Sequence, residues 1–243
     1  MIKPKAILLD LDDTIISFDG VAEIAWKRCS KQFVEENQVD FTYEVLMKKL
    51  FDTRKWYWGD PERHKRGREN LVKSRREVVR YTLKALGFNN EERSNAYADN
   101  YTRMQNEMIY LFPDSIEALE TFRSMGIRLG LVTNGTSKGQ REKLKRFNIE
   151  KYFELILIDT EVGISKPDPG IFKLALDRLE LKPDQVWMAG DNLIWDIQGP
   201  KKLGIYTLWN DFRKRGLPAD SKVVPDRIIH SLKDMADILI KEC

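Results

Sequence analysis

The sequence predicts an α/β fold built on a parallel sheet, with an all-helical domain inserted after the first strand. Three observations point there. Beyond residue 110, short apolar runs alternate with helix-forming segments; two of these and the run at residues 6–9 end in polar residues; and residues 18–109 carry helical spacing, many aromatics and few glycines. A chain of 243 residues suits a large core interrupted by a smaller domain, because single cores stop growing near ~250–300 residues.

The elements follow in order. Ala6 to Leu9 is an apolar run that stops at Asp10-Leu11-Asp12-Asp13-Thr14, a buried strand with acidic residues at its carboxyl end. From about Phe18 to Ile109 the period changes. Leu71-Val72, Val78-Val79, Thr82-Leu83 and Leu86 recur on one helical face, and Gly87 stands as the C-terminal cap. Pro113-Asp114-Ser115 signals the next helix start and Gly126 its end, before a strand within Ile127 to Val132. A helix from about Ser137 to Phe147, a strand near Leu155 to Ile158 and a helix from Pro169 to Leu179 come next. A strand at Val186 to Ala189, a helix through Lys202 and a strand at Ile205 to Leu208 complete the rhythm. Strands separated by helices in this way form a parallel sheet with right-handed crossovers, covered on both faces. The expected division is residues 1–17 with 110–243 as the α/β core, and 18–109 as the insert.

Composition narrows the function classes. Hydrophobic residues make up 42% and charged residues 33%, with 14 Gly and 9 Pro, so disorder and collagen are excluded. No apolar run reaches the ~18–20 residues of a membrane span, and the run after Lys5 is too short for a signal peptide. The expectation is a cytoplasmic protein without membrane contact. Two cysteines, Cys29 and Cys243, cannot make a disulfide framework and are expected to be inert. With only His64 and His230, a histidine-rich metal site is excluded. The chemistry falls to carboxylates, Lys and Arg.

In an open parallel sheet the binding crevice lies at the carboxyl ends of the strands, where Asp10, Thr133-Asn134-Gly135 and Gly190-Asp191-Asn192 should converge. Asp10 and Asp12, joined by Asp191 and Asp196, would concentrate negative charge that a hard divalent cation offsets, Mg²⁺ being the natural occupant. The plainer alternative is an acidic loop of helix caps. Thr133 and Asn134 offer a hydroxyl, an amide and backbone N–H groups suited to a phosphate, or an ordinary cap. Lys166 sits in Ile164-Ser165-Lys166-Pro167-Asp168-Pro169, where two prolines restrict the backbone; a solvated loop lysine is the alternative.

Order and spacing add what the single signals lack. Asp-x-Asp-x-Thr after the first strand, Thr133 on the next long strand, the Lys-Pro loop and Gly-Asp-Asn-x-x-x-Asp together resemble the four motifs of the haloacid dehalogenase-like hydrolase superfamily. The resemblance covers roughly residues 1–17 and 110–230, and the insert is similar to that superfamily's helical cap of the first type. It implies a Rossmann-like core with an inserted α-helical cap domain. By the same resemblance Asp10 is the nucleophile and Asp12 the acid and base. The carboxylates of Asp10 and Asp191, with the backbone carbonyl of Asp12, would hold Mg²⁺. Thr133, Asn134 and Lys166 would hold the phosphoryl group, and Asp196 would orient Lys166 or a metal-bound water. An acid at position 12 favours phosphate esters over dehalogenation, since a halide leaves without a proton. The implied reaction is hydrolysis of a small phosphate monoester, sugar phosphate or nucleotide-like, through an aspartyl-phosphate. A phosphomutase, or a partner-binding protein that keeps the fold, stays open. Asn192 stands where many members carry an acid or a Ser, which puts a second ligand there in doubt. Trp195 is expected to pack under the loop, and Pro200 to confine the following helix to a start close by.

Residues 54–80 hold ten Lys or Arg against four acids, Lys65, Arg68 and Glu69 among them. One reading presents these cations, with Trp56, Tyr57 and Trp58, to an anionic substrate over the crevice. The favoured reading is a solvated helix face with core aromatics. Nucleic acid is disfavoured because no docking motif is present and the net charge is only +3. Oligomeric state is not legible.

Overall fold

The computed structural model describes residues 3–60, 62–63, 66–67 and 70–242. His64, Cys243 and, from the basic stretch, Lys65, Arg68 and Glu69 lie outside the described residues. The chain forms two compact units, Met1–Ser17 with Tyr110–Cys243, and Phe18–Ile109.

Among the described residues, the first unit holds eight strands: β1 (Ala6–Leu9), β2 (Ile16–Ser17), β3 (Tyr110–Leu111), β4 (Arg128–Thr133), β5 (Leu155–Ile158), β6 (Val186–Gly190), β7 (Tyr206–Asn210) and β8 (Arg227–Ile229). Six make one sheet in the order β5-β4-β1-β6-β7-β8, every neighbouring pair parallel. β1 is flanked on both edges, Leu9 opposing Leu131 on one side and Ala189 on the other. Its four residues are fully buried because the two faces pack separately, as the two-residue period of a strand requires. Ile7 and Leu9 join Leu119 and Phe122 of helix Ser115–Ser124 and Leu232, Met235 and Leu239 of helix Leu232–Glu242. Ala6 and Leu8 join Ile171, Phe172 and Leu176 of helix Pro169–Leu179. Each large side chain so buried contributes roughly 1.5–3 kcal/mol, which fixes β1 and the residue after it, Asp10, in the middle of the sheet.

Several elements differ from the sequence reading. β7 begins at Tyr206 and runs to Asn210, two residues beyond the expected end. β8 and the C-terminal helix extend the sheet and its cover, and β2 pairs with β3 as a separate antiparallel ribbon. The helix expected through Lys202 is a π-helical turn, Leu193–Gln198, that runs on into Gly199–Lys201, with Pro200, which lacks an N–H, at the junction.

The second unit is helical: Asp19–Asn37, Tyr43–Gly59, Leu71–Ala85 and Glu91–Met108, three of them capped at the N-terminus by Thr42, Asn70 and Asn90. Trp26 stacks on Tyr101 with ring centroids 3.5 Å apart, and Phe33, Leu50, Val79 and Leu83 fill in around them. Val72, expected on the buried face, is 46% exposed, because the stripe runs through Ser74, Val78 and Thr82 instead. Tyr57 is a core residue whose hydroxyl donates to Glu77 at 2.7 Å, which removes it from any stacking role. Trp56 is half exposed, with the Arg63 guanidinium 4.0 Å over its ring. Cys29 is buried, and that burial pushes its thiol up to about 11, so it is no nucleophile at neutral pH. Among the described residues no helix is long and apolar enough to cross a membrane.

Candidate active site

Asp10 follows β1 and Asp191 follows the adjacent parallel strand β6, so register alone brings the two to the same edge of the sheet. Asp10 N–H donates to the Ala189 carbonyl at 3.0 Å, continuing the ladder one residue past the strand. Asp196 reaches the same place from the π-helical turn. Its approach needs Gly190: a Cβ there would lie 2.3 Å from Asp196 Cγ. The turn is started by Asn192, whose side-chain oxygen accepts from Ile194 N–H and Trp195 N–H, while Asn192 N–H donates to Asp196 Oδ2 at 2.9 Å. Asp10, Asp191 and Asp196 each offer an oxygen within 4.8 Å of the other two.

Lys166 joins this group from the loop before helix Pro169–Leu179. Its Nζ donates to Asp10 Oδ1 and to Asp196 Oδ1, both at 2.6 Å, and the residue is only 3% exposed. Burial opposes its charge, but the carboxylates of Asp10 and Asp196 outweigh that and hold the ammonium well above its ordinary value. One cation against three acids is not enough for neutrality. Burial, reinforced by the neighbouring carboxylates, pushes Asp10 up to about 7 and Asp191 up to about 9.

The loops that deliver these groups are tied together by side chains. Asn134 Nδ2 donates to the Lys166 carbonyl at 3.0 Å and Asn134 Oδ1 accepts the Lys166 N–H at 2.9 Å. Asp159, at the end of β5, accepts from Gly135 N–H, Thr160 N–H and Ser165 Oγ, joining the β4 loop to the residue before Lys166.

Asp12 lies outside the cluster of three carboxylates, yet near enough to Asp10 for its charge to help raise that carboxyl. Both its oxygens accept from Lys143 Nζ, at 2.7 and 2.8 Å, and Gln140 Nε2 donates to Oδ2 at 3.1 Å. Gln140 also donates to Thr133 Oγ1 at 2.7 Å.

The sequence model of the haloacid dehalogenase-like hydrolases matches residues 4–204. The chain belongs to the haloacid dehalogenase-like hydrolases. Over 97% of its length, and 97% of the relative's, this hydrolase is 30% identical to a glyceraldehyde 3-phosphate phosphatase of Methanopyrus kandleri. It is 35% identical to a phosphoserine phosphatase of Thermus thermophilus across 66% of this chain and 63% of that one. In fold it is similar to the hydrolase YfnB of Bacillus subtilis, solved bound to magnesium, with a TM-score of 0.71 at 23% identity, covering 98% and 99% of the two chains.

Among the described residues of this hydrolase, Asp10, Asp191 and Asp196 gather hard carboxylate oxygens whose mutual repulsion a divalent cation relieves, so the residues present fit Mg²⁺. Asp10, Asp191, Asp196 and Lys166 are brought together. The carboxylate of Asp12 lies outside that oxygen cluster: the strand ends at Leu9, so its two-residue alternation no longer applies at position 12, and the Asp12 oxygens are held by Lys143 and Gln140 instead. Asn134, expected at a phosphate, spends its amide on the Lys166 backbone. Asn192 serves as a cap. Trp195 is 38% exposed. Lys143, Gln140 and Asp159 went unnoticed in the sequence, where two of them look like an exposed polar helix.

Proposed function

We infer that this chain is a Mg²⁺-supported phosphatase of small phosphate monoesters that works through phosphorylated Asp10. The observation that carries the reading is the buried Lys166 ammonium shared at 2.6 Å between Asp10 and Asp196, beside Asp191. The relatives' names, which include glyceraldehyde 3-phosphate and phosphoserine phosphatases, support a compact phosphorylated metabolite as substrate.

In the first step an Asp10 oxygen bonds to phosphorus as the ester P–O bond breaks, and the departing oxygen takes a proton from Asp12. In the second, water bonds to the same phosphorus, its proton passes to Asp12, and the Asp10–phosphorus bond breaks to release inorganic phosphate. Lys166, fixed by Asn134 and by its two carboxylates, places a permanent positive charge where the phosphoryl oxygens gather, and the Thr133 hydroxyl sits at the neighbouring strand end to receive another of them. Asp10, Asp191 and the Asp12 backbone carbonyl would hold Mg²⁺, whose charge lets an anionic carboxylate approach a phosphate dianion. Asp196, bonded to Lys166 Nζ and to Asn192 N–H, orients the lysine.

The test is release of inorganic phosphate from a panel of sugar, triose, amino-acid and nucleoside monophosphates. Mg²⁺-dependent turnover abolished by EDTA is expected; no turnover of any ester would overturn the reading.

A further inference from the structure

We propose that Lys143, acting with Gln140, is a positioning residue for proton transfer by Asp12. The proposal rests on the reading of Asp12 as the acid and base of phosphate-ester hydrolysis and adds residues outside the four motifs.

Lys143 and Gln140 lie three residues apart on helix Ser137–Arg146, so their side chains share one face. That face meets Asp12 from 128 and 131 positions away in the chain. The contact is built on all sides. Lys143 Nζ reaches both Asp12 oxygens at 2.7 and 2.8 Å, and the lysine side chain is only 11% exposed. Gln140, itself 2% exposed, presents Nε2 to three acceptors: Asp12 Oδ2 at 3.1 Å, Thr133 Oγ1 at 2.7 Å and the Asn134 carbonyl at 3.2 Å. A carboxylate and a carbonyl can only accept, which assigns the amide orientation without ambiguity. The space is also reserved: a Cβ at Gly135 would come within 2.9 Å of Gln140 Cδ. One buried amide therefore locks the expected acid to the expected phosphate-binding hydroxyl, and one ammonium sets the angle of the carboxylate about that lock.

The consequence concerns the leaving group. Asp12 gives its proton to the departing oxygen and recovers one from water, and between those events it is an anion that Lys143 is placed to hold in the same orientation. A poor leaving group needs the proton in flight; a good one, such as 2,4-dinitrophenolate, departs without it. Disturbing Lys143 should therefore harm hydrolysis of poor leaving groups selectively, whereas a purely structural loss would lower all esters alike.

The experiment is single-turnover cleavage of phenyl phosphate and 2,4-dinitrophenyl phosphate by the full chain with Mg²⁺, for the wild type, K143M, K143R, Q140L and D12N. K143M is expected to slow phenyl phosphate on the order of tenfold to a hundredfold more than the dinitrophenyl ester, with KM nearly unchanged and K143R restoring most of the rate. Q140L should show the same selectivity. Equal loss on both esters in K143M and Q140L, or no loss in either, overturns the proposal. If D12N itself shows no selectivity, the assignment of Asp12 falls and the proposal with it; selective D12N with unselective K143M overturns the proposal alone.

Discussion

Asn134 grips the backbone of Lys166 at both of its polar groups, donating to the carbonyl at 3.0 Å and accepting from the N–H at 2.9 Å. The pairing resembles one rung of a strand ladder made by a side chain. It places the end of β4 and the lysine loop in register, so that the ammonium arrives between Asp10 and Asp196 already aimed.

Asn134→Ala removes both bonds and leaves a part-buried N–H and carbonyl unpaired. A stability loss of about 1–3 kcal/mol is expected, read by urea denaturation. Turnover should fall more than stability, by roughly tenfold or more, because a displacement of even 1 Å at a positioning group is costly. Asn134→Asp, which keeps the acceptor and loses the donor, should fall between.

Lys166→Met takes from Asp10 and Asp196 the one cation that, among the described residues, pairs with both. Breaking a buried pair from one side costs about 3–5 kcal/mol. Here the cost is expected to grow as pH rises and Asp10, already pushed up by burial, gives up its proton, and added Mg²⁺ should recover part of it. Thermal melts with and without Mg²⁺ at several pH values measure this. Turnover should drop by about 10²–10³ or more.

Gly190→Ala introduces a methyl 2.3–2.5 Å from Asp196 Cγ, Cβ and Oδ2. The π-helical turn must shift, and overpacking of this kind costs about 1–3 kcal/mol. Activity should fall along with stability because Asp196 accepts one of the two bonds that hold the Lys166 ammonium. Comparing kcat with the unfolding midpoint separates the two effects.

Strand positions were legible because β1, β4, β5 and β6 are fully or nearly fully buried and therefore read as unbroken apolar runs. β5 and helix Pro169–Leu179 fall where the pattern and the Asp-Pro start put them. β8 escaped because it is three residues long at the sheet edge, with Arg227 and Ile228 partly or largely exposed. The last helix repeats Leu232, Met235, Ala236 and Leu239 at helical spacing and could have been read. In the site, Asp10 and Asp191 were predictable as neighbours, because parallel strands end on one edge. Residue type did not reveal partners: nothing local says that Asn134 would bind a lysine backbone, or that Lys143 would cross 131 positions to Asp12.

Metal binding should be linked to protons. In the folded, metal-free chain Asp10 is raised from 3.8 to about 7 and Asp191 from 3.8 to about 9, chiefly by burial. The folded state thus keeps protons that the unfolded chain has already released. The stability this confers is complete below about pH 4 and is lost as pH rises through 7 and 9. Mg²⁺ must displace those protons, so its affinity should rise across the same interval, with proton release on binding near neutrality. Calorimetry in buffers of different ionisation enthalpy reads the proton count; an affinity flat from pH 5 to about 9 would contradict the linkage.

The central claim is that Asp10 itself carries the phosphoryl group. The most direct measurement is acid quench of the enzyme mixed with phenyl phosphate and Mg²⁺ within its first turnover, followed by peptide mass spectrometry. A phosphorylated peptide that fragments to Asp10, formed in the wild type and absent from Asp10→Asn, is the expected result. Phosphate release in the first turnover with no modified Asp10 at any quench time, or a modified residue elsewhere, would contradict it.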